Sequence, residues 1–185
     1  MRIAISGTHC SGKSTLIEEF LHTHPSFEHE PEAYEALQEL HDEAFPEPTA
    51  ESFFAQLEYQ VDRLQRYKKG TRVIFERCPL DYVAYLSALL TLKRSSADSH
   101  LAKQSKSIAR AAIRLLDVIA FLPGNEIGQV SDDEDPRLRN EVDAELENIL
   151  LNDSLEIFGD ATPRVVQLTG SIAQRLEVLS SIIAS

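Results

Sequence analysis

Short apolar runs alternate along the chain with longer segments whose apolar residues recur at helical spacing. The runs are apolar and bounded by glycine, proline or polar residues, which predicts strands at 2–6, 71–75, 117–122 and 164–168 and a weaker one at 27–30. Strands that alternate with helices favour a parallel sheet covered on both faces. The pattern therefore predicts a three-layer α/β fold.

The intervening segments carry the helix signals. Leu16, Ile17 and Phe20 follow Gly12 at helical spacing, and Pro79 suits the first turn of a later helix. Ser171 and Gln174 have capping-box spacing for the last one. The predicted helices lie at about 13–24, 33–44, 53–70, 79–90, 101–116, 136–151 and from 172 onward.

Composition narrows the class of protein. The 185 residues, 43% apolar and 26% charged, are typical of one globular domain, so we expect residues 1–185 to form a single nucleotide-binding domain. Thirty acidic against eighteen basic residues give a net charge of -12, which disfavours nucleic-acid binding. No apolar stretch reaches the roughly 20 residues of a membrane span. Two cysteines without a leader indicate reduced thiols and a cytoplasmic location.

The first strand runs into a phosphate-binding pattern. Residues 7–14, Gly-Thr-His-Cys-Ser-Gly-Lys-Ser, match the P-loop, whose backbone amides and following helix converge on a phosphate. Lys13 would neutralise the β- and γ-phosphates, and the Ser14 hydroxyl would coordinate Mg²⁺. The nucleotide-binding residues expected here are Gly7, Thr8, His9, Cys10, Ser11, Gly12, Lys13, Ser14 and Thr15.

The absence of two motifs argues against two classes of P-loop protein. The chain has no Asn-Lys-x-Asp segment and no run of four apolar residues ending in Asp-Glu, so a GTPase and a ring-forming motor lose support. A small kinase remains. Glu76 and Arg77 follow the strand at 71–75, where Glu76 would lie near the metal and Arg77 near the transferring phosphoryl group. The alternative is a surface ion pair at a strand end.

Phosphoryl transfer also needs a carboxylate that orients the attacking hydroxyl. Glu30 and Glu32 are candidates for that general base. Both belong to a segment from about 27 to 58 that contains ten acids and no lysine or arginine, so a solvated acidic face is the competing interpretation. The same charge disfavours an anionic acceptor, which favours a nucleoside or a cationic riboside over a nucleotide.

Together these motifs resemble a known group. The P-loop followed by Glu30-Pro31 and Glu76-Arg77 is similar to the deoxynucleoside kinases. More widely, Asp81 and an aromatic residue after the Glu-Arg pair resemble P-loop small-molecule kinases and the single-domain AAA-like ATP-binding proteins. The resemblance implies strand order 2-3-1-4-5 and gives Glu30 the role of base. The chain departs from the deoxynucleoside kinases in having no tryptophan.

The resemblance also implies two substrate-side segments. Residues of about 31–69 would form an acceptor-side helical segment, and about 124–140 a helical lid that carries Arg137 and Arg139. These arginines are two positions apart on a helix, so we expect one of them to reach the phosphates, the alternative being two surface arginines. The loop 169–171 resembles the place where such kinases hold adenine.

The predicted function is ATP- and Mg²⁺-dependent phosphoryl transfer to a hydroxyl of a small molecule. The expected partners are ATP and that acceptor, with no nucleic acid and no membrane, and a homodimer is compatible with the sequence. Two rivals stay open at this point. One is a nucleotide-dependent switch that binds a protein partner, and the other is a plain NTPase without an acceptor.

Overall fold

The computed structural model describes residues 1–41, 49–94, 97–124, 135–159 and 163–184. Strands and helices alternate through these residues as the sequence predicts, and a 3₁₀ turn at Ile113–Leu115 follows α5. In chain order they are β1 (Arg2–Ser6), α1 (Lys13–Thr23), β2 (Glu28–Glu30), α2 (Ala33–His41), α3 (Ala50–Arg66), β3 (Val73–Glu76), α4 (Pro79–Thr91), α5 (Ser99–Ala112), β4 (Val118–Phe121), α6 (Pro136–Leu150), β5 (Arg164–Gln167) and α7 (Ile172–Ala184).

The five strands form one sheet in the order β2-β3-β1-β4-β5, and every neighbouring pair is parallel. This confirms the predicted order. Ile5 of β1 lies opposite Glu76 of β3, and Ser6 lies opposite Phe121 of β4. The carboxyl ends of the three central strands therefore meet at one edge, from which the loops with the predicted site residues emerge.

Both faces of the sheet are buried, because successive strand residues point to opposite sides. Ile3 and Ile5 of β1 belong to a core cluster with the apolar residues of α1 and α7. Ala4 between them belongs to a second cluster with residues of α3, α4, α5 and α6. The predicted three layers are confirmed, and the continuous apolar runs of the sequence are the signature of strands covered twice.

Some helix boundaries differ from the expectation. The end of the long helix at Gly70 is wrong, because α3 stops at Arg66 and Tyr67 is extended. Gly70 instead adopts a left-handed conformation in the following loop, with a φ of 95°. Ser99 opens α5 two residues earlier than predicted, since the Asp98 side chain accepts from the amides of the first turn. Among the described residues no helix is long and apolar enough to cross a bilayer.

Candidate functional site

The loop between β1 and α1 has the conformation that the motif requires. A Cβ at Gly7 would come within 2.6 Å of the Leu122 carbonyl oxygen, so the backbone there leaves no space for a side chain. Gly12 has a φ of 86° and directly precedes α1. The first amides of α1 consequently open toward the loop, an arrangement that attracts an anion.

Two side chains at the start of α1 lie where the sequence predicts them. The Lys13 ammonium is almost fully buried and donates to the Thr8 carbonyl at 2.8 Å. Burial, followed by the charge of Arg77, lowers the pKa of Lys13 to about 8. The Ser14 hydroxyl donates to a carboxylate oxygen of Glu76 at 2.9 Å, so a hydroxyl and a carboxylate from two elements converge at the loop.

Cationic side chains donate hydrogen bonds to four carbonyls of the loop. Each of these carbonyls accepts a hydrogen bond from an arginine or lysine, and in a trans peptide the next N–H then points the opposite way. The bonds run from Arg77 to Gly7 at 3.0 Å, from Lys13 to Thr8 at 2.8 Å, from Arg139 to His9 at 3.2 Å and from Arg175 to Ser11 at 3.1 Å.

Arg77 is at the centre of a buried ion-pair network beside the loop. Its backbone is left-handed, with a φ of 70°, and Gln60 donates to its carbonyl. The guanidinium donates to Glu32 and lies 3.6 Å from an oxygen of Asp81. Asp81 in turn accepts from the Gly7 amide at 3.0 Å. Arg77 and Asp81 thus fix the Gly7 backbone, Arg77 by a hydrogen bond to its carbonyl and Asp81 by one from its amide.

Glu32 faces the phosphate-binding loop. Burial favours its neutral form, but the charges of Arg77 and Lys13 outweigh that and lower the pKa of Glu32. His9, in the loop itself, contributes in the same direction. Glu32 is therefore an ionised carboxylate held next to the lysine that would bind phosphate.

Glu30 has different surroundings. Arg63 of α3 donates to both of its carboxylate oxygens, and the Tyr67 hydroxyl donates to one of them. Burial acts against ionisation, yet these bonds lower the pKa of Glu30. Burial and the bond to Glu30 raise the pKa of Tyr67 to about 12. Glu30 ties the end of β2 to α3, and its oxygens are already engaged.

The lid prediction falls partly outside the described residues, which omit 125–134. Of its two arginines, Arg139 reaches the loop, donating to the carbonyls of His9 and Gly124. Arg137 is exposed, and its backbone amide donates to Asp135 at the start of α6. In the predicted acceptor-side segment, α2 and α3 are helical, and residues 42–48 lie outside the description.

The remaining predicted residues are also placed at the loop. Ser11 and Thr8 are buried, whereas His9, Cys10 and Thr15 are exposed. The described residues contain no group of three or more histidine, cysteine or carboxylate side chains placed to hold a metal ion. A cation at this site would therefore depend on the Ser14 and Glu76 oxygens together with oxygens from a ligand.

The pairing of Arg63 with Glu30 and the contact of Arg175 with the loop are not predicted by the sequence pattern. A signal for Arg175 existed, because it falls in the apolar stripe of the last helix, between Ile172 and Leu179. A charged residue in such a stripe needs a hydrogen-bond or ion-pair partner in the protein interior. Asp81 was recognised only as part of a motif, although it stands three residues after Cys78, at capping-box spacing.

Comparisons with known proteins identify a family and similar folds. A family model described as an AAA domain matches residues 2–175. No curated protein sequence matches the chain. One similar solved structure is a deoxyadenosine kinase from M. mycoides with dCMP and dCDP bound. It is 14% identical, has a TM-score of 0.68, and the match covers 100% of this chain and 99% of that chain.

A second similar structure is a NadR protein in complex with NAD and AMP-PNP. It is 16% identical, has a TM-score of 0.67, and the match covers 99% of this chain and 48% of that chain. This chain thus corresponds to about half of the NadR protein. At these identities the likeness shows the fold, which is that of P-loop kinases.

Proposed function

The chain belongs to the AAA domain family, and from the geometry of its site we propose that it is an ATP-dependent kinase acting on a hydroxyl of a small molecule. The observation that carries the proposal is the position of the Glu32 carboxylate. Glu32 is a half-buried, ionised carboxylate that follows β2, forms an ion pair with Arg77 and interacts electrostatically with Lys13 of the phosphate-binding loop. A carboxylate at that place can accept the proton of an attacking hydroxyl and orient its oxygen, as transfer to a small-molecule acceptor requires.

In the proposed reaction the loop amides and Lys13 bind the polyphosphate. Glu32 accepts the hydrogen bond of the acceptor hydroxyl, so that its oxygen points at the γ-phosphorus. As the new O–P bond forms and the bond to the β-phosphate oxygen breaks, the hydroxyl proton passes to Glu32 and ADP leaves. Arg77 keeps Glu32 oriented and adds positive charge beside the transferring group.

The residues present fit a magnesium ion. Mg²⁺ prefers oxygen ligands, and in kinases one or two protein oxygens suffice because waters and phosphates supply the rest. Ser14 Oγ and Glu76 Oε1, 2.9 Å apart, are the two that would hold it. When bound, the ion would neutralise charge on the phosphates.

Glu32 is the base that we propose, in preference to Glu30. The resemblance to deoxynucleoside kinases gives the role to Glu30, which precedes Pro31. Here, however, Arg63 and Tyr67 occupy the Glu30 oxygens. Arg77 donates to one oxygen of Glu32, and this carboxylate also interacts electrostatically with Lys13 of the loop. Glu30 then acts as a positioning residue that fixes α3 against the end of β2.

The charges on the acceptor side support an acceptor without a phosphate. Arg63 is paired with Glu30, and Arg66 forms an ion pair with Asp62, so these cations of α3 are engaged with carboxylates. The acceptor class that we propose is a nucleoside or a cationic riboside. Two proteins of similar fold fit that class. One is the NadR protein in complex with NR, and the other is the deoxyadenosine kinase.

The test is an acceptor panel assayed with ATP and Mg²⁺. Nucleosides, cationic ribosides and nucleoside monophosphates are compared for acceptor-dependent ADP release, with identification of the phosphorylated product. We expect turnover with a nucleoside or a riboside. Preferential turnover of a monophosphate would overturn the acceptor class. Phosphate release without any acceptor would indicate an NTPase, and nucleotide binding without turnover a switch.

A further inference from the structure

Arg175 lies in α7, far along the chain from the phosphate-binding loop, and yet it contacts that loop. Only 1% of the residue is exposed, and its guanidinium donates to the Ser11 carbonyl at 3.1 Å. The two residues are 164 positions apart. A buried arginine costs free energy unless polar groups receive it, so its place in an apolar helix stripe calls for a physical explanation.

The peptide that Arg175 contacts lies at the end of the loop, directly before α1. Ser11 is buried, and the same peptide plane carries the amide of Gly12, which directly precedes α1. Because C=O and N–H point in opposite directions, a donor that fixes the Ser11 carbonyl on the α7 side fixes the Gly12 N–H on the other side of the loop. A cationic donor also polarises the peptide, which makes that N–H a stronger donor.

The hydrophobic core fixes the position of α7, the helix that carries Arg175. Leu179 and Ile182 of α7 belong to the same core cluster as Leu16 and Phe20 of α1. Arg175 is in the first turn of the helix, where its own amide donates to the Ser171 carbonyl at 3.0 Å. The core therefore sets the distance between the first turn of α7 and the loop.

We infer that Arg175 is a positioning residue for ATP binding, which couples α7 to the phosphate-binding loop through the Ser11–Gly12 peptide. The inference rests on the proposed function for the identity of the ligand. It assigns Arg175 no contact with the acceptor and no part in proton transfer. Loss of the guanidinium should weaken ATP binding and leave the acceptor KM unchanged.

The first test compares ATP·Mg²⁺ affinity in four variants with the wild type. Arg175→Met should raise the Kd about tenfold or more, a range set by hydrogen bonds to charged groups, and Arg175→Lys should recover part of the loss. Ile113→Ala, a buried change in the other core cluster, should lower the unfolding midpoint without changing the Kd of the folded protein. Arg164→Met, on exposed β5, should change neither.

Two results of this test would overturn the inference. One is an Arg175→Met protein that binds ATP within about twofold of the wild type. The other is an Ile113→Ala protein that loses as much affinity as Arg175→Met, because the effect would then follow general stability.

The second test uses the unmodified protein and so does not depend on a variant that folds. Hydrogen exchange is measured with and without AMP-PNP·Mg²⁺. Coupling through Arg175 predicts slower exchange in the loop and also in the first turn of α7. Protection of the loop alone would contradict the inference and leave the proposed function standing. Absence of any binding or protection would contradict the proposed function itself.

Discussion

At the phosphate-binding loop, four cationic side chains donate to backbone carbonyls, whereas at the end of β2 Arg63 donates to both oxygens of the Glu30 carboxylate. A carbonyl carries no net charge, so bonds of the first kind orient the loop backbone; the charge of Arg77 is balanced separately by Glu32 and Asp81. A carboxylate cancels the cation that it binds. The contacts at the loop thus orient its backbone, whereas the contact at the end of β2 joins that strand to α3.

The largest effect is expected when the loop side loses its central charge. Lys13→Ala should lower ATP-dependent turnover by about a thousandfold or more, because the ammonium is the group nearest the expected phosphates. The fold should persist, which circular dichroism would check. Lys69→Ala, an exposed lysine beyond α3, is the matched control and should retain full activity. Turnover near the wild-type rate in Lys13→Ala would refute the site.

The second prediction separates the two carboxylates. Glu32→Gln should lower kcat about 100-fold to 1000-fold with ATP affinity preserved, since the base is lost. Glu30→Gln should leave kcat closer to the wild type and lower the free energy of unfolding by about 1–2 kcal/mol, because Arg63 loses its carboxylate. Steady-state kinetics and urea unfolding measure both. The reverse pattern would return the role of base to Glu30.

The third prediction concerns pH. The pKa of Lys13 is about 8, so raising the pH through 8 should weaken ATP binding by up to about tenfold per unit as the ammonium is lost. Lys13→Arg should bind ATP with little change over pH 7–9.5. Calorimetric titration across that range gives the comparison, and a flat profile for the wild type would show that Lys13 keeps its proton.

Stability should respond to pH with the opposite sign. Between about 8 and the ordinary lysine value of 10.5, the unfolded chain holds the Lys13 proton and the folded protein does not. The contribution of this group to the free energy of unfolding therefore rises with pH in that window. The difference between the wild type and Lys13→Met isolates it, and a difference that falls with pH would contradict the lowered pKa.

A smaller effect is expected at the metal oxygens. Glu76→Gln should raise the Mg²⁺ concentration needed for half-maximal turnover by about tenfold and leave the acceptor KM unchanged. Glu58→Gln, an exposed carboxylate on α3, serves as its control. If Glu76→Gln and Glu32→Gln gave the same kinetic defect, the division between metal and acceptor roles would be lost.

The sequence predicted the fold more completely than the site. The runs around Ile3, Ile74 and Ile119 sufficed for a parallel sheet, because doubly covered strands must be apolar throughout. The P-loop pattern alone sufficed to place Lys13, because its hydrogen-bond partner, the Thr8 carbonyl, lies in the same motif. Contacts between distant segments could not be read in the same way. Nothing in the pattern tells that Arg63 meets Glu30 or that Arg175 meets Ser11, because these depend on how two helices seat against the sheet.

The order in which the strands are arranged also bears on how the protein is made. β1 is synthesised before its neighbours and lies in the middle of the sheet, where it pairs with β3 and β4. The bond from Arg175 to Ser11 closes almost the whole chain on itself. Contacts of such long range form slowly and late. In a growing chain the phosphate-binding motif would therefore be made well before α7, and the bond from Arg175 to Ser11 could form only after α7 has emerged.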